Sequence, residues 1–116
     1  MILVDSNIVV QAFNDLKFLT LIKPLNPAVC TVVNIEVIQG NKSKQEIKRL
    51  EKFIQLNFWE DLKRALELVR RHSSGSGILL GDALIGATAI NRNLSLFTFN
   101  TKHFRYPEIK PLLTEL

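Results

Sequence analysis

The chain has 116 residues, 47% of them hydrophobic, and a formal net charge of +4. That is enough for one packed core, and the single cysteine, Cys30, excludes an internal disulfide and fits a reducing cytosol. No apolar run approaches a bilayer span, and Met1-Ile2-Leu3-Val4-Asp5 lacks the basic start of a signal peptide, so a cytoplasmic protein is expected; the charge is mild evidence for an anionic partner.

Ile2-Leu3-Val4 is a short β-prone run, stopped by Asp5-Ser6-Asn7, three residues suited to capping a helix. Ile8, Val9, Ala12 and Phe13 recur at helical spacing and predict a helix directly after that strand. Leu16, Leu19, Leu21 and Ile22 predict a second short helix that ends before Pro24. The β-branched run Val29-Cys30-Thr31-Val32-Val33 reads as the second strand, passing into a short helix that Gly40 stops. Ser43-Lys44-Gln45-Glu46 has the capping-box pattern. Ile47, Leu50, Phe53 and Ile54 supply the buried face of the helix that follows, and Lys42, Lys44, Lys48, Arg49 and Lys52 make its outer face basic.

Leu56-Asn57-Phe58 reads as a brief third strand. Leu62, Ala65, Leu66, Leu68 and Val69 predict an amphipathic helix, while Trp59 and the phenylalanines at helical spacing read as core. Ser73-Ser74-Gly75-Ser76-Gly77 has the composition of a mobile loop. Gly81 to Ile90 is apolar apart from Asp82 at its head and predicts a buried helix. Leu94 to Phe99 reads as the fourth strand, and the tail after Glu108 has room for a last one. Strands alternating with helices imply an α/β fold: one three-layer α/β/α domain over residues 1–116 around a mostly parallel sheet.

Ligands of such sheets bind outside the carboxyl ends of the strands. Asp5 ends the first strand, Glu36 follows the second, and Asp82 opens the buried helix. Carboxylates gathered at one edge repel one another and need a cation, and oxygen-only ligation suits Mg²⁺ or Mn²⁺ rather than zinc. Each acid alone has a plainer reading, an N-cap for either Asp and a solvated helix residue for Glu36. The joint pattern is what points to a divalent-metal site.

These residues resemble a known family. Met1 to Asn7 looks like the opening of PIN domains, Asn34-Ile35-Glu36-Val37-Ile38-Gln39-Gly40 like their second motif, and Gly81 to Ala89 like their third. Leu96-Phe97-Thr98-Phe99-Asn100-Thr101-Lys102-His103-Phe104 resembles the fourth. Order and spacing match over essentially the whole chain, and the short length looks most like VapC-type toxins of toxin–antitoxin pairs. The resemblance implies a Mg²⁺-dependent endoribonuclease, usually dimeric and held inactive by a cognate antitoxin. It implies products with 5′-phosphate and 3′-hydroxyl ends, cut by metal-activated water.

Carried over residue by residue, Asp5, Glu36 and Asp82 match the family acids, and the fourth acid falls at Asn100, an amide that offers oxygen without charge. Ser6 matches the small hydroxyl residue after the first Asp, with helix capping as its plainer role. His103 could contact phosphate or protonate a leaving oxygen, though a solvated loop residue is the plainer reading. Lys102 and Arg105 are better suited to hold RNA phosphates. Phe13 and Phe18, on the early helices, are candidates for a homodimer or antitoxin interface. Two other readings compete: a catalytically idle PIN-like module that binds RNA or protein, and a phosphoryl-accepting receiver domain. The second needs paired acids after the first strand, which Asp5-Ser6-Asn7 does not supply.

Overall fold

The computed structural model describes residues 1–40, 43–53, 56–72 and 78–115. The order is β1 (Ile2–Val4), α1 (Ser6–Asn14), α2 (Leu16–Ile22), β2 (Pro27–Cys30), α3 (Thr31–Gln39) and α4 (Lys44–Phe53). Then come β3 (Asn57–Phe58), α5 (Leu62–His72), α6 (Leu80–Arg92), β4 (Ser95–Phe97) and β5 (Leu113–Thr114). The strands form one all-parallel sheet in the order β3-β2-β1-β4-β5, flanked by helices. Leu3 pairs with Ala28 on one side and Leu96 on the other, so β1 lies at the centre. Parallel strands with both faces covered are apolar throughout, and all three residues of β1 are buried.

The chain order puts the first strand's end at the middle of the carboxyl edge. Asp5 leaves β1 with extended φ and ψ and caps α1 at once, accepting a hydrogen bond from the Ser6 backbone N–H. α6 is buried from Ala83 through Ala89, as its apolar sequence requires. It begins at Leu80, so Asp82 is its third residue and lies in the first turn. Ser43 and Glu46 form the expected capping box, each backbone N–H donating to the other's side chain.

Several expectations are corrected. The second strand ends at Cys30, and Thr31 to Val33 already belong to α3. β-branched residues favour strand, but here the Val32 backbone N–H donates to the Glu60 carboxylate, which caps the helix from a distant part of the chain. The fourth strand is shorter than Leu94 to Phe99, ending at Phe97. Trp59 is not core: it is 77% exposed. β3 ends at Phe58, whose ring is covered by the Arg92 guanidinium at 4.0 Å, and Trp59 follows it off the sheet edge. α5 buries Ala65 and Leu68, while Leu62 and Leu66 are exposed on its other side. Phe99 is also exposed. Lys42, Ile54 and the Ser73 to Gly77 loop lie outside the described residues.

Candidate active site

Asp5 is 5% exposed, and both of its carboxylate oxygens are engaged. Oδ1 accepts from the Ser6 backbone N–H at 2.7 Å and from the Ser6 hydroxyl at 3.4 Å. Oδ2 accepts from the Thr98 hydroxyl at 2.7 Å. That hydroxyl in turn accepts from the Asn100 backbone N–H at 3.0 Å and from the Asn7 side-chain amide at 3.4 Å. Asn7 closes the ring by accepting from the Phe99 N–H at 3.3 Å. The first motif and the fourth are thus tied together through Thr98, and the orientation of the Asp5 carboxylate is fixed by the segment leaving β4.

Thr98 is the residue that sequence reasoning missed. Its signal was present: a hydroxyl between Phe97 and Phe99, at the end of an apolar strand and two residues before Asn100. A buried hydroxyl of this kind needs a partner.

Asp82 faces the same edge from α6. Its Oδ2 lies 3.2 Å from His103 Nδ1 on the short 3-10 turn of Thr101–His103 that follows β4. Burial pushes the Asp82 carboxyl above its ordinary range; the His103 ring opposes this, and the charge of Asp5 adds to the rise. Glu36 projects from α3. As a residue it is exposed, but its carboxyl is partly shielded, and lost hydration followed by the charges of Asp5 and Asp82 holds it above the ordinary range. A Cβ at Gly81 would stand 4.0 Å from Glu36 Oε2, which places Glu36 beside the first turn of α6. The three acids therefore act on one another electrostatically across the carboxyl edge.

Ser6 and Asn100 belong to the same cluster, Ser6 through Asp5 and Asn100 through its backbone N–H. The Asn100 side chain makes no hydrogen bond among the described residues and lies exposed beside them. Lys102 and Arg105 are exposed on the segment around His103. Phe13 and Phe18 are half-buried: Arg49 lies over Phe13 at 4.5 Å, and Phe18 packs on Phe97 and Phe99. Cys30 is buried, which pushes its thiol up to about 12 and leaves it unreactive.

The donor set is carboxylate and amide oxygen, the chemistry of a hard dication. Among the described residues, no three His, Cys, Asp or Glu side chains stand close enough together to hold a metal ion as they are. Burial is the main cause that raises Glu36 and Asp82, and the repulsion from neighbouring acids that adds to it is what a cation would relieve. In kind of donor and in charge, the residues fit Mg²⁺ or Mn²⁺.

The PIN domain family profile matches residues 2–109. The chain belongs to the PIN domain family. The sequence gives no significant match among curated proteins. Among solved structures, this PIN domain is similar to a chain of a toxin–antitoxin complex from Klebsiella pneumoniae, with 23% identity and a TM-score of 0.76 over 98% of this chain and 100% of that one. It is similar also to a chain of VapBC2 from Rickettsia felis bound to a DNA fragment from its promoter, with 25% identity and a TM-score of 0.75 over 99% and 98%. FitAcB from Neisseria gonorrhoeae gives 17% identity and a TM-score of 0.63 over 90% and 91%. The likenesses at 23% and 17% concern the fold alone. No helix among the described residues is long and apolar enough to cross a membrane.

Proposed function

We propose that this PIN domain is a VapC-type toxin that cleaves RNA with the help of Mg²⁺ or Mn²⁺. The observation that carries the reading is the mutual action of Asp5, Glu36 and Asp82, three acids from separate parts of the chain held at one sheet edge. Support for a toxin comes from the neighbours in the fold, two of which are named as toxin–antitoxin or VapBC complexes.

Asp5, Glu36 and Asp82 would hold the ion, with the Asn100 carbonyl in support. A bound dication supplies a water of lowered pKa and offsets the charge that builds on phosphate. The chain's own part is to aim and to hold. Thr98 and Ser6 fix the rotamer of Asp5, so that a ligand oxygen does not have to be ordered during reaction. His103 lies against Asp82 at 3.2 Å, and in this reading it would also contact a phosphate or donate to a departing oxygen. Lys102 and Arg105 lie exposed beside it, free to position the RNA backbone. An RNA substrate, a cognate antitoxin and a homodimer belong to this reading. The homodimer would use the early helices, where Leu16 and Leu21 are exposed beside half-buried Phe13 and Phe18, and the exposed Trp59, Leu62, Leu66, Ile35 and Ile38 offer a second apolar surface for assembly.

The test is cleavage of a single-stranded RNA with and without Mg²⁺, by wild type and by Asp82→Asn, alongside melting curves in Mn²⁺. Metal-dependent cutting that the variant loses, with a metal-induced rise in Tm that shrinks in the variant, is the expected result. RNA binding without cutting, and a Tm indifferent to millimolar metal, would replace the nuclease with the idle binding module.

A further inference from the structure

The segment after the fourth motif touches α6 at two heights. His103 meets Asp82 in the first turn. Three residues later, Tyr106 reaches Gly86, four residues further along the same helix. Positions i and i+4 share a face and are separated by about 6 Å along the axis, so both contacts lie on one stripe of α6.

The second contact is unusual in chemistry as well as in fit. Tyr106 is 3% exposed, and its hydroxyl is buried with no hydrogen-bond partner among the described residues. It occupies the space of a missing side chain: a Cβ at Gly86 would overlap the hydroxyl oxygen and stand 3.1 Å from Cζ. Burial, then the charge of Asp82, then that of Glu108, push the phenol above its ordinary range, so the ring sits within the field of the Asp82 carboxylate. A buried hydroxyl without a partner detracts from stability, and Phe would fill most of the same volume without that loss. Core filling therefore does not account for the oxygen.

We propose that Tyr106 is a positioning residue of the site: seated in the notch at Gly86, its hydroxyl acts as a spacer that sets how far the segment after β4 rides along α6, and so holds His103 against Asp82. The neighbouring anchors leave this the adjustable one. Phe104 and Ile109 are fully buried, and Glu108 binds His72 at 2.8 Å on the end of α5. The segment is pinned on both sides of Tyr106, and the length of the Tyr106 side chain fixes its height over α6. The proposal rests on reading the Asp82 edge as the catalytic site.

The experiment compares wild type with Gly86→Ala, Tyr106→Phe and the double variant. Three quantities are read: kcat and KM on a single-stranded RNA in Mg²⁺, the Tm, and the assigned ring-proton NMR signals of His103 in metal-free protein at one pH. Gly86→Ala drives the hydroxyl out of its notch and should lower kcat about tenfold or more with KM little changed, because small misplacements of reacting groups are costly. Its His103 signals should move. Tyr106→Phe leaves a gap of one oxygen, and should cost about threefold in kcat while Tm holds or rises. In the double variant the Ala methyl replaces the lost oxygen as spacer, so kcat and the His103 signals should return towards wild type.

Relief of the overlap alone would also restore the double variant, so the outcome a merely structural role does not give is that of Tyr106→Phe: a lowered kcat and moved His103 signals with Tm unreduced. A double variant as impaired as Gly86→Ala, or a Gly86→Ala that shifts Tm alone, overturns the proposal. If Gly86→Ala does not fold, Tyr106→Phe decides: unchanged kcat and unchanged His103 signals overturn it. If wild type cuts no RNA, the nuclease reading falls, and the His103 signals across the four proteins still decide the spacer.

Discussion

The two flanks of the carboxylate edge are held in different ways. On the β4 flank, Asp5 is buried and hydrogen-bonded at both oxygens, through Ser6 and Thr98, and the segment beyond is anchored at His103, Phe104, Tyr106 and Glu108. On the α3 flank, Glu36 is exposed, and among the described residues its carboxylate makes no hydrogen bond or ion pair. One flank is preorganised by hydrogen bonds, and the other supplies a charge that no described hydrogen bond orients. In the proposed metal site the hydrogen-bonded oxygens of Asp5 would define the position of the ion, and Glu36 would add charge.

The comparison is broken most severely by removing an acid. If the proposed function holds, Asp5→Ala, Asp82→Ala and Glu36→Ala should each lower RNA cleavage at least about a hundredfold, since each removes charge that would offset the dication. Asn100→Ala should cost less, because an amide orients a ligand without neutralising it. Initial rates at fixed Mg²⁺ rank the four variants. If Asn100→Ala is as inactive as Asp82→Ala, the amide is itself a primary ligand and the ranking is wrong.

Stability separates the flanks where activity does not. Asp5→Ala loses the α1 cap and leaves the Thr98 hydroxyl without its acceptor, and should lower the unfolding free energy by about 1–2 kcal/mol. Glu36→Ala breaks no such bond and relieves repulsion with Asp5 and Asp82, so it should leave stability unchanged or raise it. Asp5→Asn retains a capping oxygen and should fall between them. Urea titrations of metal-free protein decide; equal losses for Asp5→Ala and Glu36→Ala would erase the distinction between the flanks.

How much of this was legible before the structure follows from the range of the interactions. Alternating strand and helix patterns place Asp5 and Asp82 correctly, because strand ends and helix starts are local properties of the chain. The start of α3 was not legible. Thr31 to Val33 have strand propensity, and the Glu60 carboxylate that caps the helix comes from 28 residues away. Trp59 was misread because size and apolarity do not report where a strand stops. Thr98 and Tyr106 were missed for a related reason: the hydroxyl of Thr98 was a signal without a partner, and each residue acquires its role from one 93 or 20 positions distant, Asp5 in one case and Gly86 in the other. Residue type marked the acids at the sheet edge, and only packing marked what holds them.

The β4 flank can be loosened without touching a ligand. Thr98→Val keeps shape and removes the hydroxyl, freeing one oxygen of Asp5 and leaving the Asn100 N–H without its acceptor. Loss of such an orienting partner typically costs about 10-fold or more in metal affinity. Calorimetric titration with Mn²⁺ should show that loss for Thr98→Val and near-recovery for Thr98→Ser. Equal weakening by both would mean that the threonine methyl, not the hydroxyl, supports the site.

The smallest effect concerns the far anchor of the same flank. Burial alone would raise the Glu108 carboxyl, but the His72 hydrogen bond and charge, the backbone and the Arg71 guanidinium hold it below the ordinary carboxylate range. Its oxygens lie 2.8 Å from His72 Nε2 and 3.6 Å from Arg71 Nη1. An acid with a depressed pKa stabilises the fold above its unfolded value, about 4.3 for Glu, and that contribution disappears as pH falls through the folded value. Glu108→Gln should therefore be less stable than wild type near neutral pH, by about 1 kcal/mol or less for a partly solvated pair. Because the contribution comes from ionisation, the difference should close as the medium is acidified below the ordinary carboxylate range. Urea midpoints for both proteins across that acid range test the sign. A difference that stays constant through acidification would assign the anchor to packing of the side chain, and the β4 flank would then owe its rigidity to the buried Phe104, Tyr106 and Ile109 rather than to the Glu108 ion pair.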